Sequence, residues 1–362
     1  MPPPEAFPRR KLGRNGPLVP ILQQGGDYYC PPRLVKRCMD LGVRSFDTAD
    51  NYANSRAEQS LGDSLSRLKI KRGDVFVATK GRPKRPEDIL GKCLPASLRR
   101  LRTDYVDAWY VHDLEDPDVL SNRAWREAAA AAKQAGKIKL FGLSCHNDKL
   151  IEVMNAASRC GWVDVVMLRY NFRSHGDRAL NEAISACHKA GVGLIAMKTQ
   201  ASAVSFVDRV DPFRQQGYNR HQAVLKAVWQ DERIAAAVSA MPTLRWLEEN
   251  AAAAFDRLSV AEAELLREYD AATRSAYCPG GCGGCRRECE AALETDLAVA
   301  DILRYLTYHD SYGRRRHARR LFQSLPPERR RLDNVDLASA QRACPNGLDL
   351  TTLLPAAFHK MS

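Results

Sequence analysis

The fold is decided by a stretch that opens with Phe46-Asp47-Thr48-Ala49-Asp50-Asn51-Tyr52, passes through Val77-Ala78-Thr79-Lys80 and closes on Trp109-Tyr110-Val111-His112. Each piece ends a short apolar run rich in Val, Phe and Tyr, which is typical of a buried parallel strand. Asp47, Lys80 and His112 follow one another at intervals of 33 and 32 residues, the length of one strand-plus-helix unit. Because neighbouring strands lie about 4.8 Å apart, the three side chains are predicted to converge at one end of a sheet.

The same alternation of strand and helix patterns continues along the chain. Apolar runs predict strands at 21–26, 43–47, 75–79, 105–111, 139–143, 163–168, 192–197 and 235–240. Amphipathic stretches between them predict helices, and a hairpin across 10–20 precedes the first strand. Eight alternations with short connections indicate an α/β fold, a (β/α)8 TIM barrel over residues 10–272, after an irregular tail at 1–9. The longer loop at 199–220 lies where barrels often place segments that cover substrate.

Tyr52 lies five residues beyond Asp47, so it is predicted to lie on the loop above the three converging side chains. An unperturbed tyrosine titrates near pH 10, and a neighbouring ammonium such as that of Lys80 favours its phenolate. Asp47 can hold Lys80 through a buried ion pair, and His112 can hydrogen-bond a carbonyl oxygen. Any one of the four alone is more often an ordinary polar residue at a strand end. Together they predict a proton-donating site.

These four residues, in this order and spacing, resemble the catalytic tetrad of the aldo/keto reductases, over roughly residues 10–257. The resemblance implies an oxidoreductase that uses NADP(H) or NAD(H). Its substrates would be small aldehydes or ketones, or the corresponding alcohols. Tyr52 would be the general acid, supported by Lys80, Asp47 and His112. The alternative is a non-catalytic or regulatory barrel whose C-terminal metal module is a protein docking surface.

The resemblance also implies residues that bind the cofactor. Ser144 matches the serine of a Ser-Asn pair that holds the nicotinamide carboxamide, and Asn250 ends a Glu-Asn pair near strand eight. Lys198 and Arg245 are cations that can meet the cofactor's phosphates. The positions that depart from the family's pattern are Cys145 for Asn, Met167 for Gln, Met197 for an aromatic residue, and Ala240-Met241 for Lys-Ser.

A cysteine-rich module is predicted at 273–362, where the composition shifts to Cys278-x3-Cys282-x2-Cys285-x3-Cys289 and, later, Cys344-Pro345. This arrangement resembles a bacterial ferredoxin that has lost most of its second cysteine run, and implies a small helical, ferredoxin-like module. In paired runs the fourth cysteine serves the other cluster. The resemblance therefore implies one [4Fe–4S] cluster on Cys278, Cys282, Cys285 and Cys344, with Cys289 as the alternative fourth ligand. Structural zinc on four thiolates, or no metal, are the other possibilities.

The formal net charge of +12 favours acidic partners. Residues 301–331 hold nine arginines against three acids, which indicates a solvated basic helix face or a docking surface for an acidic electron-transfer protein. Nucleic acid is not expected, because basic and aromatic residues are not interleaved. No apolar run reaches the ~18 residues of a membrane span, and the N-terminus lacks a secretory pattern. We expect a cytoplasmic protein, although a removed leader stays open.

Overall fold

A computed structural model describes residues 6–26, 28–203, 211–279, 285 and 287–362. The chain divides into two compact units. One takes in Met1–Thr199 and Leu225–Leu258, and the other takes in Gln200–Val224 and Ser259–Ser362. Within the described ranges, no helix is both long and apolar enough to cross a membrane.

The first unit is built on a closed barrel of parallel strands, preceded by an antiparallel hairpin. The hairpin strands are β1 (Arg9–Lys11) and β2 (Leu18–Pro20). The barrel strands are β3 (Leu22–Gly25), β4 (Ser45–Asp47), β5 (Phe76–Gly81), β6 (Val106–Val111), β7 (Ile138–Cys145), β8 (Val165–Arg169), β9 (Gly193–Met197) and β10 (Ala236–Ala240). They pair in chain order, and β10 pairs with β3 to close the barrel. The predicted (β/α)8 barrel and hairpin are thus confirmed.

Helices alternate with these strands. They are α1 (Pro32–Leu41), α2 (Arg56–Arg67), α3 (Leu94–Leu101), α4 (Arg123–Gln134), α5 (Leu150–Cys160), α6 (Arg178–Lys189), α7 (Arg220–Gln230) and α8 (Leu244–Ala253). The sequence predicts a kink at Pro95, and the structure has a turn of π-helix, Ile89–Cys93, directly before α3. The helix continues without a break from the π turn into α3, so Pro95, which has no N–H, interrupts the helical hydrogen bonds beside the π turn.

Strand alternation decides which side chains enter the barrel. Val77 and Trp109 pack outward in the layer between barrel and helices, whereas Ala78 and Tyr110 face inward. Register places Asp47 level with Ala78, and Lys80 level with Tyr110. The ring of Tyr110 fits because Gly142 on the neighbouring strand has no side chain; a Cβ there would lie 2.6 Å from the Tyr110 ring.

The β1–β2 hairpin closes the amino-terminal end of the barrel. Leu12 and Val19 are fully buried in the same cluster as the inward-facing Phe76 and Ile195. The turn passes so close to β9 that a Cβ on Gly13 would lie 2.4 Å from the Gly193 nitrogen, and Gly13 has a positive φ of 63°. Because this end is sealed by apolar packing, the polar strand ends carrying Asp47 and Lys80 belong to the opposite, carboxyl-terminal end.

The second unit is helical where it is described. Its helices after residue 259 are α9 (Val260–Thr273), α10 (Glu288–Ala291), α11 (Val299–Asp310), α12 (Arg315–Ser324), α13 (Leu337–Ala343) and α14 (Leu350–Met361). Ser259 and Glu262 form a capping box at the start of α9, as Ser-x-x-Glu predicts. Leu303, Phe322 and Leu354 are among the residues of its own apolar core.

Candidate active site

The site is centred on a buried ion pair. The Lys80 Nζ lies 2.5 Å from Asp47 Oδ2 and donates a second hydrogen bond to the Thr48 carbonyl at 2.9 Å. Both charged side chains are almost completely buried, at 2% and 3% exposed. Burial lowers the pKa of Lys80, but Asp47 and Tyr52 outweigh it and the pKa is raised overall. Lys80 is therefore an ammonium at neutral pH.

Tyr52 completes a cluster with Lys80 and His112. The Lys80 Nζ lies 4.9 Å from the centre of the Tyr52 ring. The Tyr52 and His112 rings are 5.6 Å apart and nearly perpendicular, at 81°. Ala53, Asn54 and Ser55, directly after Tyr52, have positive φ values of 48°, 55° and 67°. Such left-handed backbone costs about 1 kcal/mol or more per residue and tends to occur where a loop must aim a side chain.

His112 is a neutral imidazole. Its backbone N–H donates to the Gly81 carbonyl at 2.9 Å, which fixes the end of β6 against β5. Burial, followed by the charges of Lys80, Arg82 and Lys198, lowers the pKa of His112 to about 3. Its Nδ1 is buried without a hydrogen-bond partner among the described residues. At physiological pH the neutral ring can therefore donate one hydrogen bond and accept one, and it is not a cation.

The predicted carboxamide-binding position is occupied differently from a Ser-Asn pair. The Ser144 Oγ accepts a hydrogen bond from the Asp113 N–H at 2.9 Å. The Cys145 thiol donates to Asn147 Oδ1 at 3.3 Å, and the Asn147 amide donates to Asp113 Oδ1 and to the Leu114 carbonyl at 3.2 Å each. Asn147 thus connects the loop that follows β7 to the loop that follows β6. Of the residues at the end of β7, Ser144 is the one that best matches the predicted binding of the nicotinamide carboxamide.

Helix α8 carries the predicted phosphate-side residues. Thr243 caps its amino terminus by accepting a hydrogen bond from the Trp246 N–H at 3.2 Å. Arg245, in the first turn, pairs with Glu249 at 2.7 Å and its side chain is 71% exposed. Asn250 is buried, and its amide donates to Ser239 Oγ at 3.1 Å, which ties α8 to β10. Arg245 is therefore available to solvent, whereas Asn250 is held in the packing behind it.

Two residues of the site were not anticipated from the sequence. Thr48 contributes the carbonyl that binds Lys80, and a backbone acceptor leaves no mark in side-chain patterns. Arg82 lies just beyond β5, with a guanidinium nitrogen 3.9 Å from Asp113 Oδ2. The signal in the sequence that could have identified Arg82 is a cation two residues after Lys80. Lys198, predicted for the cofactor, directly follows β9 with a positive φ of 60°.

The cysteines of the second unit are partly brought together. Cys285, Cys289 and Cys344 are buried, and Cys278 packs against the same core. Burial, followed by the neighbouring Cys344, raises the pKa of the Cys289 thiol to about 12. Cys282 lies outside the described residues. In the part of the chain that the structure describes, no group of three or more potential ligands is arranged to hold a metal ion, so the predicted ligand set stays a prediction.

Comparison with protein families gives one match that covers most of the first unit. A family model described as "Aldo/keto reductase family" matches residues 32–260. An L-galactose dehydrogenase of Arabidopsis thaliana is 31% identical over 170 residues, which cover 45% of this chain and 52% of that protein. A methylglyoxal reductase of Salmonella typhi is 32% identical over 124 residues, covering 34% and 45% respectively. The chain thus spans about half the length of the curated relatives it matches.

Solved structures show the same fold. A thermostable aldo-keto reductase in complex with the inhibitor epalrestat superposes with a TM-score of 0.59 at 25% identity, covering 72% of this chain and 98% of that one. An aldo-keto reductase of Klebsiella pneumoniae, in complex with NADPH, gives a TM-score of 0.60 at 23% identity, covering 72% and 94%.

Proposed function

Because the chain belongs to the aldo/keto reductase family, we propose that it is a nicotinamide-dependent oxidoreductase that reduces an aldehyde or ketone, or oxidises the corresponding alcohol. The observation that carries this proposal is the buried Lys80–Asp47 pair directly beside Tyr52 and His112. A structural ion pair alone would not require a tyrosine and a neutral histidine at the same strand ends. A proton donor for a carbonyl oxygen requires both a donor and a means of stabilising its conjugate base.

Tyr52 is the general acid in this proposal. The Lys80 ammonium has three hydrogens, of which Asp47 Oδ2 and the Thr48 carbonyl accept two, so the third is available to the Tyr52 hydroxyl. The positive charge stabilises the phenolate that forms when the proton leaves. His112 remains neutral and hydrogen-bonds the substrate oxygen, orienting it towards Tyr52. The nicotinamide, when bound, supplies the hydride.

The residues proposed for NADP(H) or NAD(H) fit that group in part. Ser144 lies at the end of β7 beside the cluster, and Arg245 is an exposed cation in the first turn of α8. Free N–H groups at a helix amino terminus, together with an arginine, suit a phosphate. Lys198 supplies a second cation after β9. Asn250 supports the site by fixing α8 against β10 through Ser239.

The experiment is turnover of a generic aromatic aldehyde, with NADPH and NADH titrated separately by fluorescence. Tyr52→Phe removes only the transferable proton, so we expect kcat to fall by about 10²–10⁴-fold with unchanged cofactor affinity. Tyr170→Phe is the matched control, since its hydroxyl bonds Asp231 at 2.8 Å in the outer layer of the barrel. Unchanged turnover in Tyr52→Phe would remove Tyr52 from this role.

We propose that the second unit holds one [4Fe–4S] cluster on Cys278, Cys282, Cys285 and Cys344, with Cys289 as the alternative fourth ligand and structural zinc as the alternative metal. Support comes from the chain's return to the cysteine run: the Asp349 N–H donates to the Ser275 carbonyl at 3.2 Å. Buried thiols packed in one core are costly to ionise unless a metal compensates them. Anaerobic purification followed by metal analysis and absorption spectroscopy distinguishes cluster, zinc and no metal.

The second candidate function, a regulatory barrel with a docking surface, is favoured by one observation. Arg315, Arg316, Arg319 and Arg320 are all exposed on α12. Such a surface suits an acidic protein, including an acidic electron carrier that would serve the cluster. Tight binding of an acidic carrier that weakens steeply with salt, without any aldehyde turnover, would favour this reading over the reductase.

A further inference from the structure

Glu58, in the first turn of α2, has a carboxylate that is completely buried. Its Oε1 accepts a hydrogen bond from the Thr79 hydroxyl at 2.5 Å, and its Oε2 accepts one from the Arg100 Nε at 2.6 Å. Asp50, on the loop after β4, also lies within electrostatic range of this carboxylate. A buried charge is costly unless it is paired and hydrogen-bonded, and here both oxygens are bound. Glu58 therefore ties the beginning of α2 to β5 and to α3.

Thr79 and Lys80 are consecutive residues of β5, so their side chains point to opposite faces of the strand. The Thr79 side chain points outward and binds Glu58, whereas the Lys80 side chain points inward to the buried ion pair. The Lys80 backbone carbonyl also accepts a hydrogen bond from the Asp50 N–H at 2.9 Å. The same two residues of β5 thus hold the segment that carries Tyr52 on both sides, at Asp50 before it and at Glu58 after it.

Backbone hydrogen bonds connect Tyr52 itself to the first turn of α2. The Ala57 N–H donates to the Tyr52 carbonyl at 3.2 Å, and the Tyr52 N–H donates to the Ala49 carbonyl at 3.2 Å. The three residues between Tyr52 and α2, at 53–55, all have positive φ values. Such a strained turn persists only where the surrounding contacts hold it in place. Glu58, the neighbour of Ala57, supplies a contact of this kind.

We propose that Glu58 is a positioning residue for Tyr52: its carboxylate fixes the first turn of α2 against β5, and so keeps the Tyr52 side chain beside the Lys80 ammonium. The kinetic consequence rests on the proposed function, whereas the position of the Tyr52 ring does not.

The test uses Thr79→Val, which keeps the size and branched shape of the side chain and removes the hydroxyl that binds Glu58. No charge is altered, so a shift in the pH profile reports a change in the distance between Tyr52 and Lys80. A phenol farther from the ammonium keeps its proton to a higher pH. We therefore expect the alkaline limb of aldehyde reduction to move up and kcat at neutral pH to fall. Thr79→Ser restores the hydroxyl and should restore both.

The size of the effect follows from the distance between the two groups. The Lys80 Nζ lies 4.9 Å from the centre of the Tyr52 ring. Because a Coulomb interaction is inversely proportional to distance, doubling this separation removes about half of the interaction. At an effective dielectric constant of about 20, that loss corresponds to about one pH unit. The poorer acid should lower kcat by up to about tenfold, with an unchanged cofactor dissociation constant.

Ser64→Ala is the matched control. Ser64 is a buried residue in the second half of α2, and its hydroxyl donates to the Cys30 carbonyl at 2.7 Å. Losing this hydroxyl should destabilise the packing of the helix without moving the pH profile or kcat. An unmoved profile in Thr79→Val, a loss that Thr79→Ser does not rescue, or an equal shift in Ser64→Ala overturns the positioning role.

Glu58→Leu is a second variant that leaves β5 unchanged, so it excludes a direct disturbance of Lys80 by its neighbour Thr79. The Arg100 side chain is 27% exposed, so its guanidinium can reach water once the carboxylate is gone. Removing an acid would by direct electrostatics favour the phenolate and move the alkaline limb down. We expect the limb to move up, as in Thr79→Val; a downward shift or no shift overturns the positioning role.

NMR of protein labelled with 13C at the tyrosine Cζ separates failure of this inference from failure of the proposed function. The Tyr52 signal is identified by its absence in Tyr52→Phe. A titration midpoint of Tyr52 that is higher by about one pH unit in Thr79→Val supports the inference even in a protein that turns over no aldehyde. Equal midpoints overturn it even if the protein is an active reductase.

Discussion

Replacing Lys80 by Met tests the electrostatic basis of the proposed acid most directly. Met keeps an unbranched apolar stem of similar length but removes the charge that lies 4.9 Å from the Tyr52 ring. At that separation, and with an effective dielectric constant of about 20, a unit charge interacts with a phenolate by about 3 kcal/mol. Since one pH unit corresponds to about 1.4 kcal/mol, the alkaline limb of aldehyde reduction, where Tyr52 loses its proton, should move up by about two units.

The assay is the pH dependence of kcat/KM for aldehyde reduction and alcohol oxidation with saturating cofactor. We also expect reduction at neutral pH to fall by about 100-fold, because a phenol without its ammonium neighbour is a poorer acid. Lys80→Met leaves Asp47 as an unpaired buried charge, which by itself can cost about 3–5 kcal/mol of folding stability. The double variant Lys80→Met/Asp47→Asn removes that cost while keeping the kinetic defect. An unmoved alkaline limb with appreciable residual activity in either variant would refute the pairing of Lys80 with Tyr52.

Three further predictions follow from other parts of the chain. Cys344→Ser should lose most of its iron and sulfide and destabilise the second unit, whereas Cys289→Ser should keep a near-full content; the opposite pattern in metal analysis would assign the fourth ligand to Cys289. The pKa of His112 is about 3, well below its ordinary value, so its neutral form contributes stability above about pH 6.5 that is lost as the pH falls towards about 3. Urea unfolding at several pH values should show that the free energy of unfolding depends less steeply on pH in His112→Gln than in the unmodified chain. An equal pH dependence in both proteins would contradict the lowered pKa of His112. Ala53 has a positive φ of 48°, so Ala53→Gly relieves strain and should raise the free energy of unfolding by up to about 1 kcal/mol, with Ala156→Gly in α5 as a destabilising control.

The barrel and its central ion pair could be predicted because both depend on residues within regular strands. Asp47 and Lys80 face inward by the same alternation that turns Val77 outward, so their positions follow from periodicity. Strand ends were displaced by one or two residues, as at Ser45, because the pairing of β3 with β4 is confined to Gln24 and Phe46. Where two strands share so few paired residues, the conformation of the adjoining loops determines where each strand ends.

The remainder of the site depends on loop conformations that residue types do not encode. Asp113 and Lys198 both have positive φ values, and the Asp113 carboxylate accepts hydrogen bonds from the His146 N–H and the Asn147 amide. Because its amide binds the Asp113 carboxylate, Asn147 is part of the loop structure, whereas Ser144 lies within β7 at its end. The cysteine ligands remain a prediction, since Cys282 lies outside the described residues. The domain boundary at 273 is likewise a prediction.

The pairing of β3 with β10 has a consequence for biosynthesis. Register joins Gly25 to Ala240, so the first barrel strand must wait for the last before the sheet can close. At translation rates of about 5–20 residues per second, the ribosome needs about 10–40 s to make the intervening chain. During that time β3 lacks the neighbour that β10 later supplies, and an unpaired strand edge is a template on which another chain can pair.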